Sequence, residues 1–324
     1  MQCFSIEAGK PALREAPVPE LQSRQMLVKV HAAGLNRVDL LTAQAMSGGQ
    51  GAGQTIGLGR ELCGTVVEVG PEVQQFRKGD VVIAMAAGAL AEYAAVDERI
   101  AVAAPLEALS QAEAAVLPLA LNTMHDAVVT RGELQQGQSV LVQGASSAVG
   151  IMAMQIAREI GAELVIGTSR DAERRMRLTD QGADLALDTG DTGWVDAVLK
   201  ATDGAGVDLI IDQIGAPVAN DNLRATRLEG RIVNVGRLGG NTGEFDFDLH
   251  AARRITYIGV TFRTRTPDEV ATIVRKAWAQ MGSAIQAGRI RIPISVTYPL
   301  EQANEALDAM ARDQHFGKIV VTVD

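Results

Sequence analysis

Val140-Leu141-Val142-Gln143-Gly144-Ala145-Ser146-Ser147-Ala148-Val149-Gly150 runs from an apolar strand, through a turn of small residues, into the start of a helix. Such a turn suits a pyrophosphate for two reasons. Small side chains let the backbone approach the anion's oxygens, and the first N–H groups of the helix, at the positive end of its dipole, face the charge. Gly144, Ser146, Ser147, Ala148, Val149 and Gly150 are therefore candidate dinucleotide-binding positions. Gly150 also permits close packing of helix on strand. The string is not a strict G-x-G-x-x-G, so its meaning depends on its surroundings.

Outward from the turn, strands alternate with helices. Ser139 to Gln143 reads as a strand, Val149 to Ile160 as a helix, Leu164 to Thr168 as a strand and Asp171 to Asp180 as a helix. A short strand at Leu185 to Leu187, a helix at Trp194 to Thr202 and an apolar strand at Val207 to Asp212 follow. A helix around Val218 to Arg227 and a strand at Arg231 to Val235 complete the series. Continuous apolar strands between amphipathic helices predict an α/β fold with a parallel sheet covered on both faces, a doubly wound Rossmann arrangement. The first third has another texture. Met26 to Ala32 alternates apolar and polar residues, and Cys63 to Val69 and Val81 to Ala84 are short β-rich runs broken by Gly and Pro, which predicts a β-rich lobe. Ser110 with Glu113 forms a capping-box pattern, and Pro118 is expected to interrupt that helix, with a second beginning near Asn122. The chain closes with a helix over Pro267 to Ala287, a strand at Ile294 to Tyr298, a helix at Leu300 to Ala311 and a strand at Lys318 to Val323.

At the end of the second strand of the series stands Ile166-Gly167-Thr168-Ser169-Arg170-Asp171-Ala172-Glu173-Arg174. A site for NADH usually places a carboxylate about 20 residues past the glycines to accept from both ribose hydroxyls. Here Ser169 holds that place, with Arg170 next and Arg174 one helical turn on. A hydroxyl and two guanidiniums suit a 2′-phosphate, so NADPH is the expected cofactor. Asp171 reads as the cap of the following helix. The competing reading makes Arg174, Arg175 and Arg177 a solvated helix face.

Composition narrows the function classes. The chain has 324 residues, 47% of them hydrophobic, and a net charge of −9 with no Lys/Arg block, so two lobes are expected and nucleic acid is not an expected partner. The longest apolar run, Val81 to Ala91, is shorter than the about 20 residues a bilayer span needs. No secretory signal is read in the first residues, and two cysteines, Cys3 and Cys63, give no disulfide framework. A cytoplasmic protein with no membrane partner is the expectation. Four scattered histidines (His31, His125, His250, His315) and those cysteines offer no metal-ligand spacing, so no metal site is expected.

Over essentially its whole length the chain resembles the medium-chain dehydrogenase/reductase superfamily, in its zinc-free quinone oxidoreductase branch. The landmarks are Leu35-Asn36-Arg37-Val38-Asp39, Gly59-Arg60-Glu61-Leu62-Cys63-Gly64-Thr65-Val66, Gly79-Asp80-Val81-Val82, Pro118 with Thr123, and the Gly144 turn with Gln155. Asp212-Gln213-Ile214-Gly215, Gly230-Arg231-Ile232-Val233 and Gly317-Lys318-Ile319-Val320 continue the series. Thr261-Phe262-Arg263-Thr264-Arg265 and Ser147 are similar to features of the p53-induced quinone oxidoreductase subgroup. The resemblance implies a discontinuous GroES-like catalytic domain, residues 1–118 and 259–324, and a Rossmann NADPH-binding domain, 119–258, with the nicotinamide in the cleft between them. It implies Asn36 and Thr123 beside the nicotinamide, in catalytic roles, and Thr168, Ser169, Arg170 and Arg174 around the 2′-phosphate. Ile214, Val235, Gly236 and Arg237 would line the ribose and nicotinamide, with Thr261, Phe262, Arg263 and Lys318 at the closing rim. Arg237 and Lys318 are also readable as plain surface residues. A homodimer formed edge to edge through Ile255 to Thr261 is implied as well.

Departures from the zinc-dependent members matter equally. Those place a cysteine in the Asn36 region and a histidine where Arg60 stands. Glu61 survives, and an ion pair with Arg60 or Arg37 is expected for it. The glycine-rich stretch from Ala45 to Gly59 reads as a lid or a wide pocket mouth. Without a Lewis acid a simple ketone is a poor acceptor, whereas a quinone or an α,β-unsaturated carbonyl spreads the incoming charge over a conjugated system. Hydride transfer to a quinone is the expected reaction, with enone reduction or a non-catalytic, crystallin-like NADPH-binding role as alternatives. His125 is expected to pack rather than to react.

Overall fold

The strands expected in the first third form, and those buried on both faces lie at the centre. The computed structural model describes residues 1–47 and 55–323. In chain order it begins with β1 (Gln2–Glu7), β2 (Lys10–Glu15), β3 (Gln25–Gly34), helix α1 (Arg37–Ser47) and β4 (Ile56–Gly57). Next come β5 (Glu61–Val69), β6 (Val81–Met85), β7 (Tyr93–Asp97), β8 (Ala101–Ala103), α2 (Gln111–Ala115) and α3 (Pro118–His125). After the parallel-sheet segment the chain returns with α9 (Pro267–Gln286), β15 (Ile294–Pro299), α10 (Ala303–Ala311) and β16 (Lys318–Thr322). Two sheets result, a small one in the order β2-β1-β4 and a larger one in the order β15-β16-β3-β5-β6-β8, with β7 also on β3. β3 is central because Met26, Val28 and Val30 are fully buried while Ala33 is buried on the opposite parity. Of the stretch read as a lid, Ala45 to Ser47 end α1, Ile56 and Gly57 form β4, and residues 48–54 lie outside the described residues.

The middle segment contains β9 (Ser139–Val142), α4 (Ala148–Ile160), β10 (Leu164–Thr168), α5 (Ala172–Met176), β11 (Leu185–Leu187), α6 (Trp194–Ala201) and β12 (Val207–Asp212). It continues with α7 (Ala219–Ala225), β13 (Thr226–Asn234), α8 (Phe247–Arg253) and β14 (Thr256–Gly259). All six strands are parallel, in the order β11-β10-β9-β12-β13-β14. The order reverses between β9 and β12, the switch point at which doubly wound sheets bind ligands. Leu209, Ile210 and Ile211 of β12 are at most 1% exposed, and burying each such side chain stabilises by about 1.5–3 kcal/mol. Helix α4 begins at Ser147, whose hydroxyl caps it, and stops at Gly161, whose φ of 90° a residue with a Cβ rarely adopts.

The chain divides into two compact units, residues 1–120 with 270–324, and residues 121–269. The stretch after β14 stays with the parallel-sheet unit because Arg265 pairs with buried Asp126 and its Nε donates to the Thr261 carbonyl at 3.1 Å. One expectation is corrected at Pro118. The proline opens α3 instead of breaking a helix that resumes near Asn122, since the first helical position needs no N–H. Among the described residues no helix is long and apolar enough to cross a membrane. The capping box at α2 is present, with Ser110 and Glu113 bonding reciprocally. Ser110→Ala is expected to cost about 1 kcal/mol, read as a lower midpoint in urea with an unchanged slope.

Candidate dinucleotide cradle and a buried lysine network

In the parallel-sheet unit the turn after β9 is built for close approach. A Cβ on Gly150 would lie 2.6 Å from both the Ala145 Cα and the Gly144 carbonyl, so nothing larger fits without moving backbone. Gly144 has φ of 67°. The Ser147 hydroxyl accepts from the Gly150 amide at 3.1 Å, and its proton faces the Gly144 carbonyl at 2.9 Å and Gln213 Oε1 at 3.2 Å. Ser147 therefore shapes the turn with its side chain. The amides of Ala148 and Val149, in the first helical turn, have no intrahelical acceptor and are left for an anion. Ser146 is half-buried beside them, its hydroxyl accepting weakly from Ser169 at 3.3 Å.

Polar side chains hold the turn across the switch point. Gln213, after β12, donates from Nε2 to the Gln143 carbonyl at 3.1 Å. Gln143 in turn accepts from Thr168 at 2.9 Å and donates to Asn222 at 2.8 Å. Thr168, expected near a 2′-phosphate, is 2% exposed, and its hydroxyl also accepts the Gly144 amide at 3.0 Å. Its proton and one of its two lone pairs are spent on the scaffold, which leaves no hydroxyl proton for a ligand. Asp212 Oδ1 accepts the Ile214 and Gly215 amides at 2.8 and 3.0 Å, and Asn234 donates to Oδ2 at 3.1 Å. Burial pushes the Asp212 carboxyl above its ordinary range, against these three donors. This latch joins the ends of β12 and β13, so Ile214, Val235, Gly236 and Arg237 come together there, all half-buried except for their neighbour Gly215. A Cβ on Gly236 would meet the Gln213 carbonyl at 2.7 Å.

At the end of β10, Ser169 is 6% exposed and Arg170 is exposed. Asp171 caps α5 by accepting the Arg174 amide at 2.8 Å, as expected. The arginines of α5 are not alike. Arg175 donates to the Ser169 carbonyl at 2.8 Å and to Asp188 at 2.9 Å, a strut under the loop. Arg174 is half-buried, and its buried Nε lies 3.7 Å from Asp171 Oδ1, an ion pair, but makes no hydrogen bond among the described residues. Thr123 and His125 lie on the buried face of α3, at 9% and 2% exposure. Thr261 and Phe262 are half-buried and Arg263 exposed, in the segment tied down by Arg265, whose guanidinium also lies 5.7 Å from the Phe262 ring centre.

The other unit holds a network that the expectations did not describe. Glu61, the first residue of β5, is fully buried and accepts from Lys318 Nζ, from Asn36 Nδ2 at 3.0 Å and from the Leu119 amide at 2.8 Å. The last of these caps the N-terminal end of α3. Lys318 Nζ also donates to Asn36 Oδ1 at 2.6 Å and to the Leu35 carbonyl at 3.4 Å. A Cβ on Gly34 would overlap Glu61 Oε1 at 2.4 Å, so glycine there makes room for the carboxylate. Three expectations change. Glu61 pairs with Lys318 and not with Arg60 or Arg37, because Arg60 lies toward Asp39 and Arg37 pairs with Asp313. Lys318 is 3% exposed, neither surface nor rim. Asn36 is a link in the network: its Nδ2 also donates to the Gly34 carbonyl at 3.0 Å, leaving no amide proton for a ligand.

With this geometry in place, the comparisons with known proteins are direct. Residues 22–106 match the alcohol dehydrogenase GroES-like domain, and residues 148–279 match the domain described as zinc-binding dehydrogenase. An alcohol dehydrogenase superfamily protein from Novosphingobium aromaticivorans is 30% identical, with 100% of each chain covered and a TM-score of 0.89. The chain belongs to the medium-chain dehydrogenase/reductase superfamily. Within it, a mycobacterial protein solved in complex with NADPH is 25% identical over 99% of this chain and 100% of its own, at a TM-score of 0.88. Quinone oxidoreductase-like protein 2 from Mus musculus is 28% identical, over 99% of this chain and 91% of its own length. The chain spans 8%, 14% and 15% of the first curated relatives it matches, all polyketide synthases or related synthases. A highly reducing polyketide synthase from Gibberella zeae matches over 98% of this chain and 14% of itself. Among the described residues no group of three or more His, Cys, Asp or Glu is arranged to hold a metal ion.

Residues that sequence reasoning left without a role do much of the positioning in this member of the superfamily: Gln143, Gln213, Asp212, Asn234, Asp126 and Arg265. The Asp212-Gln213-Ile214-Gly215 motif was visible, but its hydrogen bonds need the β9–β12 register. For the lysine network the consequence is a stability cycle. Lys318→Met or Glu61→Gln alone strips a buried charge of its partner and is expected to cost about 3–5 kcal/mol. The double substitution should recover a large part of that loss in urea unfolding, and strictly additive losses would show that the two side chains do not interact.

Proposed function

We propose that this chain is an NADPH-dependent reductase that passes a hydride to a quinone without a bound metal. The observation that carries the reading is the glycine-tight turn at Gly150 together with Arg174, whose buried Nε makes no hydrogen bond among the described residues and pairs with Asp171 only at 3.7 Å, and with Ser169 where a carboxylate would select NADH. The mycobacterial neighbour in complex with NADPH supports the same cofactor. Bound there, the dihydronicotinamide supplies the hydride. The chain's own residues bind and orient it. Ala148 and Val149 offer amides to the pyrophosphate, Ser169, Arg170 and Arg174 hold the 2′-phosphate, and Gly236 allows close approach at the β13 end. Thr123, Ile214, Val235, Arg237 and the Thr261 to Arg263 segment are assigned to the ribose and nicotinamide. In this reading residues 121–269 bind the nucleotide and the other unit is catalytic.

Metal independence rests on the donor set. Asn36, Arg60 and Lys318 present an amide with no free N–H, a guanidinium and a buried ammonium, none of them a zinc ligand. A conjugated acceptor needs no Lewis acid, because the arriving charge spreads over the acceptor. Reduction of an enone is the second reading, favoured by the match to a highly reducing polyketide synthase over 98% of this chain. Self-association belongs to the same proposal. β14 is the free edge of the six-stranded sheet, flanked by a surface cluster in which Phe245 lies 5.0 Å from Phe247, 5.4 Å from His250 and 5.7 Å from Tyr257. Phe247 is 75% exposed. A second copy paired at β14 would cover this patch.

Oxidation of NADPH with a panel of quinones and enones tests the reading, with NADH run in parallel. Turnover with NADPH and a quinone is expected. Tight NADPH binding without turnover on any acceptor would favour a binding protein instead. Arg170→Ala combined with Arg174→Ala should weaken NADPH by roughly 10- to 100-fold and leave NADH nearly unchanged. Equal losses would return both arginines to the solvated face. Light scattering should give a dimer mass, reduced to that of a monomer by Phe247→Glu with Tyr257→Arg. A monomeric parent would contradict the β14 interface.

A further inference from the structure

The loop assigned to the 2′-phosphate lies against a carboxylate from the neighbouring strand. Thr168 of β10 pairs with Leu187 of β11 in parallel register, so Ser169 and Asp188 are the next residues on adjacent strands. The Ser169 amide donates to the Leu187 carbonyl at 3.0 Å, which carries the pairing one step further. Asp188 therefore stands beside the position at which a carboxylate would select NADH. It is half-buried and anchored, because its Oδ1 accepts the Gly190 amide at 2.8 Å. Its Oδ2 accepts from Arg175 Nη1 at 2.9 Å. The same nitrogen donates to the Ser169 carbonyl at 2.8 Å and, more weakly, to the Arg170 carbonyl at 3.4 Å. One guanidinium nitrogen thus joins Asp188 to the backbone of the two residues that precede the Asp171 cap. The other carboxylates nearby are placed differently: Asp171 caps α5 with Arg174 at 3.7 Å, and Glu173 is exposed.

A 2′-phosphate brings about two negative charges to Ser169, and a carboxylate without a counter-charge one strand away would oppose them. A ribose 2′-hydroxyl meets no such opposition and can donate to a carboxylate. We infer that Arg175 is a specificity-determining residue, which masks Asp188 so that the loop takes NADPH rather than NADH; this rests on the cofactor reading above. Arg175 acts through Asp188 and the loop, as a positioning residue, while Arg170 and Arg174 remain the groups assigned to the phosphate itself. A guanidinium suits the task because it is charged at every physiological pH and its fixed donors can hold a carbonyl and a carboxylate together. Taking away the charge of Arg175 alone leaves the phosphate facing one more negative charge. Taking away the charge of Asp188 as well restores the balance, so the two side chains should be coupled in their effect on NADPH and not on NADH.

NADPH and NADH dissociation constants of the full chain, measured by fluorescence in dilute salt, test the inference. The parent is expected to bind NADPH more tightly than NADH. Arg175→Gln keeps N–H donors for the Ser169 carbonyl but loses the charge, and it should weaken NADPH by about tenfold while leaving NADH within about twofold. Adding Asp188→Asn should return NADPH to within about threefold of the parent, and Arg175→Lys, which keeps the charge, should bind both cofactors much as the parent does. The gap between the parent and Arg175→Gln should also narrow at high salt, as a charge repulsion does and a loosened loop does not. Arg175→Gln binding NADPH within about twofold of the parent would overturn the assignment. So would a loss that Asp188→Asn does not recover, the result expected if Arg175 held the phosphate directly or only braced the loop. A parent that binds NADH as tightly as NADPH would instead remove the cofactor reading, and with it any selection for Arg175 to serve.

Discussion

A carboxylate removed from water must be met by charge and hydrogen bonds, and Glu61 imposes that requirement on three distant segments at once. Lys318 on β16 supplies the charge, Asn36 after β3 supplies an amide proton, and the Leu119 amide at the start of α3 supplies another. Gly34 is small because the carboxylate occupies the volume a side chain would fill. The network thus explains how the returning C-terminal segment is registered against the N-terminal strands. It also explains why the Asn36 carboxamide faces as it does: an ammonium can bond only to its oxygen, so the amide nitrogen must point to Glu61 and Gly34.

The parallel-sheet unit solves a different problem with the same economy of parts. Strands that diverge at a switch point leave exposed backbone between them, and this chain closes the gap with amide side chains rather than with apolar ones. Gln213 bridges from β12 to the end of β9, Thr168 and Gln143 fix the turn from below, and Asp212 with Asn234 latches β12 to β13. The result is a set of rigid backbone donors around Ala148 and Val149. The hydroxyl of Ser147 goes into rigidity, and the arginine strut Arg175 holds the loop from which Ser169 and Arg174 are offered.

Much of this was legible in the sequence. The βα alternation, the cap at Asp171, the capping box at Ser110 and the long helix from Pro267 follow from periodicity and local chemistry, which act over a few residues. What was not legible depends on register between distant strands. Glu61 was expected beside Arg60 or Arg37 because those are near in sequence, whereas its partner lies at the other end of the chain. Thr168 and Asn36 were implied as ligand contacts by the resemblance, and register decides that their side-chain protons go to buried neighbours. Pro118 was expected to interrupt a helix that resumes near Asn122, whereas it opens α3, where the Leu119 amide is met by Glu61.

In the proposed chemistry Asn36 and Arg60 stand where zinc-dependent members of the superfamily are expected to carry a cysteine and a histidine, so no metal takes part in the reduction. The most direct measurement is NADPH-dependent reduction of the best acceptor before and after exhaustive chelation, with the metal content of each sample determined. The account predicts the same turnover in both, with no stoichiometric metal in either. Loss of turnover on chelation, restored by zinc, would contradict it.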